Sequence, residues 1–391
     1  MVPVGVTAVL REALGGDLVT ELVPRRIGHR DSHNSLLIRR SDVAPGEVSA
    51  IVVPTIRNPA TMRDSLRLSR ELRRPVIALC SGWSSAAGVQ REAAILKARV
   101  VAVNVGDRQV LPRFATDALL EDQRYPRLSR NNDVSRKRNL GIAVARMLGW
   151  RSVLFLDDDI TDVTAAAVRT AGGLLAEHNA AALENVGYPD NSVVCHARRE
   201  AGMTQDTFAG GGAMAVRIDP HTPFFPTVYN EDWLFLVRRE AIERVAVCGK
   251  VSQREYDPFL TPERARSEEF GDCLAEGVFA LSERDRPAQA ANEAYWKAFR
   301  LARVRMIEEI IDGLRHHPDE DRRGRMVQAL KTARGRCLAI PPRLYVDYLR
   351  AQQADLKTWA QFLAGLEGQR DPAEAFVSLG LSVFQHDPGA A

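Results

Sequence analysis

With 391 residues, 45% of them hydrophobic, and a formal net charge of +3, the chain reads as soluble and globular and as too long for one ordinary domain. So small a net charge excludes nucleic-acid binding driven by bulk electrostatics, and no run of 18 apolar residues exists to cross a bilayer. Five scattered cysteines without a CxxC pair argue for reduced thiols in a cytoplasm and against structural zinc, and the opening MVPVGVTAVLREALGG lacks the basic leader of a signal peptide.

Residues 1–46 read as an N-terminal extension, an amphipathic helix and then a polar, basic segment, with no assignable chemistry. Residues 47–250 alternate strand and helix. SAIVVPTIRNP is a buried strand interrupted by Pro54, and Met62, Leu66, Leu68 and Leu72 set a helix over 61–74. The strand PVIALCSG, a helix over 86–98 and the strand RVVAVNVGD, ending at Asp107, follow. This spacing predicts an α/β fold with a parallel, doubly wound sheet. A helix over 136–148 comes next, with Asp133 or Ser135 as its cap and Gly149 as its end. Arg124, Arg127, Arg130, Arg136, Lys137 and Arg138 make this the most basic stretch. A solvated loop would account for such a run, but a helix start aimed at a sheet edge suits phosphate. The near absence of stacking aromatics argues against nucleic acid.

RSVLFLDDDI, residues 151–160, organises the chain. Val153–Leu156 is a short apolar run suited to a strand buried on both faces, and it stops at Asp157, Asp158 and Asp159. Three adjacent carboxylates repel one another unless a cation compensates them, and the end of a central strand is where α/β sheets place ligands. Hard oxygen donors suit Mg²⁺ or Mn²⁺, the alternative being a solvated acidic turn. A helix over 165–182 and a strand over 192–195 are expected next. Gly210, Gly211 and Gly212 then form either a substrate-facing loop or a tight turn into a strand. Glu231 and Asp232 start a helix, where they either complement its dipole or supply a general base. Residues 251–391 are mostly helical, with apolar faces over 294–314 and 344–366, and His316-His317 sits in a charged loop.

PTIRNP closing the first strand, KRNLG opening a helix, the strand ending in DDD, then GGGAMAVR and NED occur in that order. Over residues 50–247 the chain thereby resembles a nucleotide-sugar glycosyltransferase of the GT-A fold, most similar to family 2. The resemblance implies a Rossmann-like GT-A domain with a helical C-terminal extension, transferring a sugar from a nucleotide-sugar donor to an acceptor hydroxyl with inversion. It places Thr55 and Arg57 near the nucleoside, and Arg138 and Asn139 at the nucleotide or its phosphates. Asp157 and Asp159 become the outer members of a DXD-like motif and the metal ligands, with Asp158 between them. Gly211 and Gly212 border the donor sugar, Asp232 is the base, and Glu231 is its neighbour. Membrane-bound polymerising members carry transmembrane helices and QXXRW, which Gln253–Asp257, QREYD, does not match. The implied acceptor is therefore a small molecule or a soluble glycan. A sugar-phosphate nucleotidyltransferase is the alternative, although PTIRNP lacks the glycines of its phosphate loop. A non-catalytic nucleotide-sugar-binding protein is another, against which intact DDD and NED speak.

Overall fold

The computed structural model describes residues 27–389, apart from 107–109, 126–127, 129–132, 190, 239–240, 243 and 283–289. The N-terminal helix expected before residue 27, Asp107, Arg127 and Arg130 therefore lie outside the described residues. The chain enters through β1 (Leu37–Arg39), an edge strand the sequence pattern did not signal. The units β2 (Ile51–Thr55), α1 (Arg63–Leu72), β3 (Val76–Cys80), α2 (Ala86–Leu96) and β4 (Val100–Asn104) follow as expected. A short α3 (Ala115–Glu121) leads to α4 (Val134–Met147), which ends before Gly149 at φ +62° and runs into β5 (Ser152–Leu156).

Two expectations fail in the next stretch. Residues 165–182 divide into α5 (Ala165–Leu174), reached through the short β6 (Ile160–Thr161), and a strand, β7 (Ala180–Asn185). The alanines of β7 favour helix by propensity, but burial between neighbouring strands outweighs a preference of a few tenths of a kcal/mol. Residues 192–195 are the start of a helix, α6 (Val193–Glu200), because the Ser192 hydroxyl accepts from the Cys195 N–H and caps it. Then come β8 (Ala213–Arg217), α7 (Glu231–Phe235), the small hairpin β9 (Val237–Arg238) and β10 (Ala241–Ile242), and β11 (Val245–Gln253). The C-terminal region holds α8 (Pro262–Ser282), α9 (Glu293–Gly313), α10 (Glu320–Ala339), α11 (Pro342–Ala364), α12 (Pro372–Ser378) and the strand β12 (Val383–His386).

The main sheet runs β1-β11-β7-β8-β5-β2-β3-β4-β12. It is mostly parallel, but β8 is antiparallel to both β5 and β7, and β12 is antiparallel to β4. All five residues of β5 are buried, with Val153 and Phe155 in the core on one face and Leu154 and Leu156 in the core on the other. That two-sided burial is why the run carries no polar alternation. Helices α8, α9 and α11 contribute Phe279, Trp296, Tyr348 and Trp359 to the same hydrophobic cluster as the first of these faces. A separate cluster joins α6 to α8, α9 and α10. All five cysteines are buried and unpaired. Among the described residues no helix is long and apolar enough to cross a membrane.

Helix α4 approaches the sheet closely at Gly141, where an added Cβ would lie 2.7 Å from Val52 Cγ1. In an exposed helix Gly→Ala gains about 1 kcal/mol, but overpacking a rigid core costs about 1–3 kcal/mol. We therefore expect Gly141→Ala to lower the midpoint of urea unfolding without changing its slope.

Candidate active site

Three strand ends converge. Antiparallel pairing of β5 with β8 sets Leu156 opposite Ala213, so the glycine turn that opens β8 lies beside the acidic run that closes β5. The Asp157 N–H donates to the Gly212 carbonyl at 2.8 Å. β2, parallel to β5, brings Thr55 and Arg57 to the same end. The Thr55 hydroxyl donates to Asp158 Oδ2 at 2.7 Å, and Arg57 pairs with Asp158 Oδ1 and, at 2.9 Å, with Asp159 Oδ2. Burial opposes the charge of Arg57, yet Asp159 and then Asp158 outweigh it and raise its pKa.

From α4, Arg138 reaches the centre of the cluster. Its Nη2 donates to both Asp157 oxygens at 2.9 Å, and its Nη1 donates to Glu231 Oε1 at 2.8 Å. The guanidinium is buried, and the attraction of Asp157 and Glu231 overcomes the desolvation and raises its pKa. Asp157 remains 27% exposed at its side chain. Burial pushes its carboxyl up to about 6 against the pull of Arg138, with Asp159 adding to the rise. Gly211 is required here, since a Cβ would lie 2.8 Å from Arg138 Nη1 and 2.9 Å from Asp232 Cβ.

Asp232 is held differently. Its Oδ2 accepts from the Gly211 N–H at 2.5 Å and its Oδ1 from the Trp233 N–H at 2.9 Å. Among the described residues no side chain donates to it, and the nearby Arg138 is committed to Asp157 and Glu231. A cavity of about 290 Å³ joins Arg57, Arg138, Asp157, Gly212, Glu231 and Asp232. The opposite wall comes from α8 through Arg264, Asp272 and Glu276. Arg264 donates to Glu268 Oε1 at 2.7 Å and lies over the Tyr256 ring at 4.3 Å.

The structure distributes the expected residues unevenly. Arg57, Arg138, Asp157, Gly212, Glu231 and Asp232 line the cavity, with Gly211 in the turn beside them. Thr55 and Asp158 are buried beneath Arg57. Asp159 is likewise buried and paired with Arg57, and it does not line the cavity. Asn139 does not face it either: its carboxamide donates to the Phe225 carbonyl at 2.8 Å and accepts from the Phe225 N–H at 2.7 Å. That side chain ties the aromatic-proline loop to α4. The phosphate reading of the basic stretch also divides. Lys137 is buried, donating to the Thr55 carbonyl (2.9 Å) and to Ser81 Oγ (2.7 Å) while pairing with Asp133 (2.9 Å). Asp133 thus makes no cap, and Ser135 bonds instead to the Pro226 carbonyl.

The sequence reading attached no chemistry to α8. One signal was present: Glu268, Asp272 and Glu276 recur every four residues, which sets three carboxylates in a row along a helix otherwise rich in apolar residues. Trp83, 89% exposed, was also passed over, although it follows β3 and its N–H bonds to the Ile56 carbonyl beside Arg57.

Two clusters could be weighed for a metal. His29, Cys195 and Glu276 lie within 4.8 Å of one another. Arg303 donates to His29 Nδ1 at 3.1 Å, and Nε2 pairs with Gln205 Oε1 at 2.8 Å, which leaves that imidazole no lone pair for an ion. Burial also pushes the Cys195 thiol far up, away from thiolate. The acidic cluster fits better. Asp157, Asp158, Asp159, Glu231 and Asp232 outnumber the guanidinium groups of Arg57 and Arg138, and an all-oxygen donor set suits Mg²⁺ or Mn²⁺.

No family model matches the chain, and no curated protein does. Among solved structures it is similar to mannosyltransferase PcManGT from Pyrobaculum calidifontis in complex with GDP-Man and Mn²⁺. The identity is 16%, the alignment covers 89% of this chain and 92% of that one, and the TM-score is 0.38. Similarity at that level leaves the geometry of the site as the basis for a functional reading.

Removing Arg138 would strand two carboxylates, which for a buried pair costs about 3–5 kcal/mol. Arg138→Ala should therefore lower the melting temperature sharply. The folded pKa of Asp157, about 6, lies above its ordinary 3.8, so ionising it costs stability as pH rises through that range. Without Arg138 this cost grows. The melting-temperature deficit of Arg138→Ala, read by calorimetry, should be larger at pH 8 than at pH 5.

Proposed function

We propose that this chain is a glycosyltransferase that uses a divalent cation to move a sugar from a nucleotide-sugar donor to an acceptor hydroxyl, with inversion. One observation carries the reading. One polar cavity joins an anchored cluster of excess carboxylate, at Asp157, to a second carboxylate, Asp232, that among the described residues is fixed by backbone N–H groups alone.

The order of motifs along residues 50–247 and the antiparallel β8 that brings the glycine turn to the acidic strand end both support it. The side chain of Arg57 is 46% exposed and so can exchange its carboxylate partners for donor phosphate. Asp157 would hold the cation from the cavity side, and Asp159 would become available as a second ligand were Arg57 to turn to phosphate. A divalent cation held there would neutralise charge on the departing nucleoside diphosphate. Asp158 and Thr55 position Arg57, and Glu231 holds Arg138 beneath Asp157. Asp232 accepts the proton of the acceptor hydroxyl as its oxygen bonds to the anomeric carbon and the bond from that carbon to phosphate oxygen breaks. The two backbone donors orient the carboxylate without neutralising it, which leaves it able to serve as a base. Gly212, which lines the cavity, leaves room for the sugar at this junction, while Gly211 lets the backbone pass between Arg138 and Asp232. The acceptor in this reading is a small molecule or a soluble glycan.

Purified protein incubated with Mn²⁺ and a panel of nucleotide sugars should release nucleoside diphosphate, and EDTA should abolish the release. Conversion of the nucleotide sugar to nucleoside triphosphate and sugar 1-phosphate, only when pyrophosphate is added, would instead indicate nucleotidyl transfer. Asp232→Asn should lower turnover by roughly 10²–10⁴ while the Mn²⁺-dependent melting-temperature rise with nucleoside diphosphate persists. If Asp232→Asn keeps more than about a tenth of wild-type turnover with chemistry rate-limiting, the base lies elsewhere.

A further inference from the structure

Asn230, immediately before the acidic pair, sits in the left-handed region at φ +59°, ψ +38°. It occupies the position before α7, yet its side chain caps nothing on that helix. Its Nδ2 instead donates to Asp272 Oδ1 on α8 at 3.1 Å. Asp272 Oδ2 in turn accepts from Arg303 on α9, whose guanidinium is 0% exposed and also grips Glu269 through two bonds of 3.1 Å. At the adjacent residue, Gly271, α8 presses on the chain so closely that a Cβ would overlap the Tyr229 backbone. One turn further along α8, the Glu276 carboxylate accepts from His33 Nε2 at 3.1 Å, and the His33 ring packs edge-on against Trp233, 5.4 Å between centroids. Phe279 on α8 packs against both the same indole, at 4.6 Å, and the His33 ring, at 5.4 Å. The two residues that bracket Glu231 and Asp232, namely Asn230 and Trp233, are thus both fixed from α8.

From this we propose that Asp272, held by Arg303, is a positioning residue for the catalytic base. The buried ion pair between α8 and α9 fixes the left-handed turn from which α7 starts, and thereby the placement of Asp232 toward the donor. The proposal rests on the reading of Asp232 as base. It gives the C-terminal helices a role in turnover, since Arg57 and Asp157 are anchored without them and Arg138 keeps both of its bonds to Asp157. The physical basis is the tolerance of the chemistry: a displacement of about 1 Å at a reacting group can cost on the order of a hundredfold in rate while leaving ground-state binding unchanged.

Asn230→Gly is the first variant, because glycine adopts φ near +60° at no steric cost but loses the bond to Asp272. We expect kcat for donor cleavage to fall about tenfold or more, with the donor KM, the affinity for nucleoside diphosphate with Mn²⁺ and the melting temperature all near wild type. Asn230→Asp faces one carboxylate with another and should fall further. Combining it with Asp272→Asn exchanges donor and acceptor across the contact and should recover most of the loss. Hydrogen exchange, read without any substrate, should be faster over residues 231–236 in Asn230→Gly and unchanged over 152–157. Wild-type kcat and exchange in Asn230→Gly would overturn the proposal, as would a parallel loss of donor affinity and melting temperature, or an exchanged pair no better than Asn230→Asp alone. If the wild-type protein cleaves no nucleotide sugar, the glycosyltransferase reading fails, and the exchange data alone decide whether α8 holds this turn.

Discussion

The buried guanidinium of Arg138 holds the site together. It draws one carboxylate from the end of β5 and another from the start of α7, reinforcing the link that the glycine turn makes between them. A charge taken out of water loses several kcal/mol of hydration, which only well-placed partners restore. Neither acid can therefore move without exposing the arginine to that cost. The same constraint explains the glycine at 211: the backbone must pass between the guanidinium and Asp232, where a side chain would collide with both.

The sheet's one internal reversal makes this contact possible. Had β8 been parallel to β5, its first residues would lie at the opposite edge of the sheet, far from the acidic run. Because β8 is antiparallel, Gly210–Gly212 and the loop carrying Glu231 and Asp232 share an edge with Asp157. The parallel blocks on either side, β2-β3-β4 and β7-β11-β1, supply the rigid support. Asn139 and Lys137, the sequence neighbours of Arg138, fasten α4 to the aromatic loop and to the β2 and β3 ends. The three neighbouring polar residues of KRN thus do three different jobs, and only the arginine opens on the cavity.

The helical C-terminal region is part of this arrangement. Its aromatic residues complete the core on one face of the sheet, and α8 forms a wall of the cavity. The row Glu268, Asp272 and Glu276 is buried because each carboxylate has a partner: Arg264 and the Val193 N–H, Arg303 and Asn230, and His33. Such a row is stable only with these partners, which come from α8 itself, from α6, α9, the turn before α7 and the segment before β1.

Local pattern in the sequence determined β2 through β5, the helix before the acidic strand, the glycine turn and the long C-terminal helices. Those elements follow from apolar runs, helical spacing and turn residues, each set by neighbours within a few positions. Where local preference was weak, at the alanines of β7 and at Val193-Val194-Cys195, the fold overrode it through sheet burial and a serine cap. Pairing was decided only by tertiary structure. Nothing in the sequence says that Arg57 takes Asp158 and Asp159 while Arg138 takes Asp157 and Glu231, or that Asn139 turns to Phe225 rather than to the cavity. Those contacts join residues 19 to 102 positions apart, and a charge in a low-dielectric interior selects its partner by distance and desolvation, which exist only once the chain has folded.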